Sequence, residues 1–369
     1  MAAAVEILIV PGPPPSVLPA WRRLANLRMA VSLLVAGLLL AWIGTHAHFD
    51  YRSTLRTLAR VNLPVFALAL VVFYLSFAAR TLRWQLLLRN AGEQARFRPL
   101  LHILLLTWFA NCILPAKGGD LYRAYLLRRN AAISGSKALG TVLGERVLDF
   151  LVLMSLLMLS VVALFRSAMP ARFEGGLVTG LIIALAMVAV LIGVQRQHRR
   201  LMGLIPERFR ERAGQFRIGL IDALGRDRVM LVVLTLAVWA AESARLYLVT
   251  LALPLPVHLG PAHIIFIALV ASLLTTIPAL PGGLVLVEGG IIAVLSVFGL
   301  SPSVALSVAI LDRLISYWAP VAVGAILLVV AGQGSANRGA GNLTNSTTNP
   351  LQPRSPLLPK GRVAATRIP

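Results

Sequence analysis

Apolar runs of about twenty residues, the length that crosses the hydrocarbon of a bilayer, recur along this chain, and basic residues punctuate them. The runs predict spanning helices at about Leu27–Thr45, Pro64–Leu88, Lys137–Phe165, Leu177–Val194, Val229–Leu253 and Val304–Ala331. Two further apolar stretches, Leu100–Pro115 and Pro261–Pro278, are too short to span. Each is followed by a break rich in Pro and Gly: Pro115 with Gly118 and Gly119, and Pro281 with Gly282 and Gly283. Arg89, Arg96 and Arg98 precede the first short stretch, and Lys117, Arg123, Arg128 and Arg129 follow it. Basic flanks on both sides predict a hairpin that enters and leaves the membrane on one face, turning at Pro115, Gly118, Gly119 and Asp120. Irregular backbone at membrane depth needs a cover of protein or a water-filled cavity. The expected fold is all-α: a polytopic membrane protein of about six spanning helices plus two re-entrant hairpins.

The distribution of charge orients these elements. Arg22, Arg23 and Arg28 precede the first run, and nine arginines lie between Gln195 and Arg228. The loop around Pro254–Gly260 has no Lys or Arg. By the positive-inside rule both termini are expected in the cytoplasm. Residues 46–62 are polar, with Leu55, Leu58 and Val61 at helical spacing, and predict an interfacial helix. Arg80, Arg83 and Arg89 are expected to snorkel from a helix end.

The chain also repeats itself. Pro99, Gly118-Gly119, Glu145-Arg146 and Arg80 recur as Pro261, Gly282-Gly283, Asp312-Arg313 and Arg245, about 165 residues further on, in keeping with an internal repeat. The two copies, about 62–166 and 229–331, are expected to face opposite ways. An inverted-topology repeat with broken segments in matching positions points to a substrate site at the midplane and to alternating access.

Composition narrows the class. Of 369 residues 58% are hydrophobic and 13% charged, and the formal net charge is +21. Soluble domains carry nearer 25% charged residues. The positive excess fits cytoplasmic loops against anionic lipid, and nucleic-acid binding is not expected because no basic, aromatic-interleaved module is present. The single Cys112 excludes an intrachain disulfide and a cysteine metal cluster. His102 and His263 lack partnered ligand spacing, so no metal or cofactor is expected. Residues 1–26 read as a cytoplasmic segment, 27–331 as the integral domain, and 332–369 as a disordered basic tail.

Charges inside apolar sequence are expensive, about 2.5–3.5 kcal/mol each at mid-bilayer. Glu145 and Asp149 share a helix face, and Glu145 stands about 12 Å into its span. Two readings remain open: the charges pair with Arg123 or Arg80 to lock helices, or arginines hold a lipid phosphate while carboxylates hold an amine or carry protons. The candidate substrate-binding set is Arg123, Glu145, Arg146, Asp149, Arg245, Glu288, Asp312 and Arg313. Glu242 and Arg245 are expected to pair internally as i,i+3. The glycine pairs either cradle a phosphate or turn the hairpins tightly.

These residues resemble a known family. Arg80-Thr-Leu-Arg83-Trp84, the Asn111–Arg123 run, Gly144-Glu145-Arg146-Val-Leu-Asp149 and Pro281-Gly282-Gly283 with Glu288 are similar to the membrane region of bacterial lysylphosphatidylglycerol synthase/flippases. The resemblance covers roughly residues 25–331. It implies movement of a polar lipid, aminoacylated, hopanoid or polyprenyl-linked, between leaflets of a bacterial plasma (inner) membrane. The bifunctional members append an aminoacyl-transfer domain; here a tail follows, so synthase activity is not expected. A membrane enzyme with Glu145 or Asp149 as general base, or a small-solute carrier, are the alternatives.

Overall fold

The computed structural model describes residues 50–114, 117–131, 133–165, 171–276 and 281–330. The expected first span, the two terminal segments and Pro115 lie outside the described residues. Helices form where apolar runs meet local start and stop signals. Asp50 caps α1 (Tyr51–Ala59) by accepting from the backbone N–H groups of Arg52 and Ser53. Asn62 caps α2 (Leu63–Asn90), with Pro64 in its first turn. The first hairpin is α3 (Phe97–Ile113) and α4 (Gly118–Ala131). Leu114, before Pro115, is extended (φ −86°, ψ 137°), as a residue preceding proline must be, and this stops α3.

The long helices α5 (Gly135–Leu164) and α6 (Ala171–Arg196) follow. The basic stretch after them is itself helical: α7 (His198–Leu204), then α8 (Glu207–Arg217), whose π turn Ile218–Asp222 packs against α5. Two glycines allow this contact. A Cβ on Gly140 would stand 2.3 Å from the Phe216 carbonyl, and one on Gly219 would stand 2.2 Å from that of Lys137. The chain continues through α9 (Arg228–Leu251) and α10 (Pro261–Leu274). A 3-10 turn at Pro281–Gly283 leads into α11 (Leu286–Val297). Last comes α12 (Pro302–Arg313), which passes through a π turn at Leu314–Trp318 and runs on to Val330.

Five of these helices are long and apolar enough to cross a membrane: Leu63–Asn90, Gly135–Leu164, Glu174–Arg196, Arg228–Leu251 and Pro302–Val330. The protein is therefore an all-α, multi-pass membrane protein, and no strand occurs among the described residues. The helices α3, α10 and α11 are apolar but short. The helix expected within residues 46–62 is α1, and it docks on the start of α12. There the Thr54 hydroxyl donates to the Ser303 carbonyl at 3.0 Å, and the Asp50 N–H donates to the Ser303 hydroxyl at 2.9 Å.

The most extensive helix pair is α2 with α9. They run antiparallel along their whole length. Asn62 at the start of α2 donates to the Ala252 carbonyl beyond the end of α9, and Asn90 at the end of α2 donates to Ala223 and Arg226 before the start of α9. These helices hold the same place in the two sequence copies, so the copies run in opposite directions. The register of that repeat differs from the expected one by one helical turn. Arg83, not Arg80, corresponds to Arg245, because Arg83 binds the carboxylate of Glu145 and Arg245 binds that of its counterpart Asp312. Sequence spacing could not distinguish two arginines one turn apart; the carboxylates they hold do.

Candidate functional site

The buried stripe of α2 explains where the charges go. Ala69, Phe73, Phe77, Arg80, Arg83, Trp84, Leu87 and Leu88 are all buried, whereas Leu68, Val71, Leu75 and Leu82 on the other side are exposed, as suits a lipid-facing surface. Arg80 and Arg83 therefore do not snorkel from a helix end. They enter the protein on the packing face, and burial forces each to find a carboxylate.

Arg83 is fully buried and is held by two of them. It donates to Asp149 at 2.5 and 3.1 Å and to Glu145 at 2.9 Å, with a third acceptor in the Thr235 hydroxyl at 3.0 Å. Glu145 and Asp149, four residues apart on α5, present one face to it. Arg123 of α4 closes on Glu145 at 2.8 Å and stacks its guanidinium 3.6 Å from the Trp84 ring centroid. Glu145 and Arg123 are 1% and 0% exposed.

In front of this buttress lies a cavity of about 440 Å³ between the two copies. Lys117 and Asp120 reach it from the first hairpin, and Arg146 and Asp149 from α5. Arg80, Glu242 and Arg245 line it from α2 and α9, and Asp312, Arg313 and Tyr317 from α12. Gly282 closes it from the second hairpin. Among the expected binding residues, Arg146, Asp149, Arg245, Asp312 and Arg313 thus share one chamber. Arg123 and Glu145 do not line it; Glu145 is enclosed between Arg83 and Arg123. Glu288 stands behind Arg313.

The two ends of the chamber mirror each other. Arg146 holds Asp120 through two parallel hydrogen bonds of 2.9 Å, coupling α5 to the first hairpin. Arg313 holds Glu288 at 2.9 Å and donates to the Gly282 carbonyl at 2.8 Å, coupling α12 to the second. Between them Arg80 meets Glu242 at 2.6 Å. Arg245 reaches Glu242 at 3.2 Å, the expected i,i+3 pair, but it also binds Asp312.

The hairpin tips meet at Tyr317, in the π turn of α12. Its hydroxyl donates to the Cys112 carbonyl at 2.9 Å, and its ring fills the space where a Cβ on Gly282 would stand. Gly282 and Gly283 have φ of 57° and 69°, a region that favours glycine. A Cβ on Gly119 would lie 2.4 Å from the Thr107 carbonyl, so that glycine lets α4 lie directly on α3. Tight turning and close packing account for these three glycines. The buried Cys112 thiol takes part in this joint only through its backbone and a 3.9 Å contact to the Tyr317 carbonyl.

Arg80, Arg83 and Lys117 were named in the sequence but not placed in the candidate binding set. For Arg80 and Arg83 a signal existed: both fall on the same stripe as Phe73, Phe77 and Trp84, well inside a helix of 28 residues. For Lys117 there was none beyond its place in a basic flank.

Helices long and apolar enough to cross a membrane, packed around a charged chamber, define a polytopic membrane protein. Comparison gives its family. The chain matches the lysylphosphatidylglycerol synthase TM region family over residues 29–324, and it belongs to that family. A UPF0104 membrane protein of Methanocaldococcus jannaschii is 34% identical over 60% of this chain and 94% of its own length. Another, from Methanothermobacter thermautotrophicus, is 27% identical over 83% of this chain and 93% of its own. Glycosyltransferase AglD of Haloferax volcanii is 22% identical over 82% of this chain and 54% of its own length.

Proposed function

We propose that this protein moves a polar or polyprenyl-linked lipid with a phosphate headgroup between the leaflets of the plasma membrane in which it sits. The observation that carries this reading is the chamber of about 440 Å³, lined by charges and set between two oppositely directed copies. A headgroup needs polar lining to leave water, and arginine forks suit phosphate oxygens. In this reading the hairpins dip into the bilayer from opposite faces, both termini are cytoplasmic, and acyl chains stay in lipid while the headgroup crosses. Rocking of the copies about α2 and α9 opens the chamber to each face in turn. The exchangeable partners of Arg146 and Arg313 are then the carboxylates Asp120 and Glu288 in one state and the phosphate in the other.

The test is a leaflet-exchange assay in liposomes with purified protein. Arg146→Leu and Asp312→Asn, each shown to fold, are expected to abolish lipid movement. Full activity in both removes these residues from the mechanism. A second reading, an enzyme acting on a lipid-linked substrate, draws on the relative named as a glycosyltransferase. Mass spectrometry of the same liposomes separates the two: transport changes the leaflet and catalysis changes the mass.

A further inference from the structure

Five cations line the chamber: Arg80, Lys117, Arg146, Arg245 and Arg313. The four arginines each hold a carboxylate. Lys117 has no carboxylate partner among the described residues, so it is the lining cation left over when the ion pairs are closed.

The backbone supports a purpose for this lysine. Lys117 has φ 53° immediately before α4, and Val285 has φ 70° immediately before α11. Both hairpins thus leave their turns through a non-glycine residue of positive φ. In the second copy that residue is a buried valine, so the turn itself does not call for a cation. Glycine would adopt the same conformation with less strain. A strained conformation kept with a charged side chain is a pointer to function.

We infer that Lys117 seats the phosphate oxyanion of the transported lipid, and that the chamber thereby selects headgroups of net negative charge over zwitterionic ones. This rests on the lipid-transport reading above and names its substrate class. The lipid rather than a soluble phosphate is favoured by a second cavity of about 540 Å³. It is apolar, lined by Leu156, Leu236, Ile264 and Ile265, and it shares Trp239 with the chamber. One amphiphile can place its phosphate at Lys117 and a hydrocarbon chain along this groove.

Equilibrium binding to the full-length protein in detergent tests this without requiring transport. The probes are radiolabelled short-chain phosphatidylglycerol and phosphatidylcholine, with glycerol 3-phosphate as soluble competitor. The wild type is expected to bind phosphatidylglycerol at least tenfold more tightly than phosphatidylcholine. Lys117→Gln should erase that preference, and Lys117→Arg should keep it. Lys117→Gly removes the cation while easing the backbone, so its loss of preference cannot come from a strained turn. Equal binding of the two lipids by the wild type, or an unchanged preference in both neutral variants, overturns the inference. Glycerol 3-phosphate competing as well as the lipid would overturn the lipid assignment. If the preference depends on Lys117 but no lipid changes leaflet, the transport reading fails and the binding site stands.

Discussion

Arg80 of α2 and Glu242 of α9 meet at 2.6 Å, both buried, and each stands three residues before the arginine that binds its own copy's α5 or α12 carboxylate. The contact therefore joins matching positions of the two copies. A guanidinium in one is neutralised by a carboxylate in the other, so neither copy balances its charge alone. Separating them would strand the Arg80 guanidinium, while Glu242 would keep Arg245. The antiparallel packing of α2 on α9 is held by this pair as well as by apolar burial.

Removing one member of that pair should be worse than removing both. Glu242→Leu is expected to destabilise the protein by about 3–5 kcal/mol, because it leaves the buried Arg80 without its carboxylate, and Arg80→Leu by less, because Glu242 keeps Arg245. The double substitution should recover most of the loss. A double-mutant cycle from unfolding in mixed micelles measures the coupling, and strictly additive losses would show the contact to be incidental.

Arg83 should not tolerate lysine. Its fork serves Glu145, Asp149 and the Thr235 hydroxyl together, which a single ammonium cannot do. Arg83→Lys is expected to lower stability by about 2–4 kcal/mol and Arg83→Met by more, since two carboxylates then lack their shared cation. Retention of the folded peak on size-exclusion after graded heating is the measurement.

The hairpin glycines should resist even alanine. Gly119→Ala places a methyl group against the Thr107 carbonyl, and Gly282→Ala places one in the Tyr317 ring at a left-handed backbone position. Each is expected to destabilise by about 1–3 kcal/mol. Gly175→Ala, with open space around it, serves as the neutral control in the same assay.

The opposed directions of the two copies predict opposite labelling. Gln94 follows α2 at one end of the bundle and His258 follows α9 at the other, and both are exposed. In a Cys112→Ser background, Gln94→Cys should react with a membrane-impermeant maleimide only from the cytoplasmic side, and His258→Cys only from the outside. Labelling of both from one side would remove the inverted arrangement and the alternating-access reading with it.

Much of this protein follows from one-dimensional pattern. Run length and charge located the five described spans to within a few residues, since a bilayer imposes a length and a punctuation that tertiary packing does not alter. An opposed repeat was expected from matching breaks and charged pairs, and the antiparallel packing of α2 on α9 is in keeping with it. What the chain could not disclose was partnership. Spacing puts Glu145 and Asp149 on one face of α5, yet it does not say that Arg83 crosses from α2 to take both, or that Arg123 closes behind them. Nor does it show Arg146 reaching Asp120 instead, or Lys117 facing the chamber with no carboxylate partner among the described residues. Helix identity is a local property of hydrophobic period and backbone hydrogen bonding. The pairing of buried charges depends on which helices come within a few ångströms across about 20 to 160 residues of chain, and only packing in three dimensions brings those charges together.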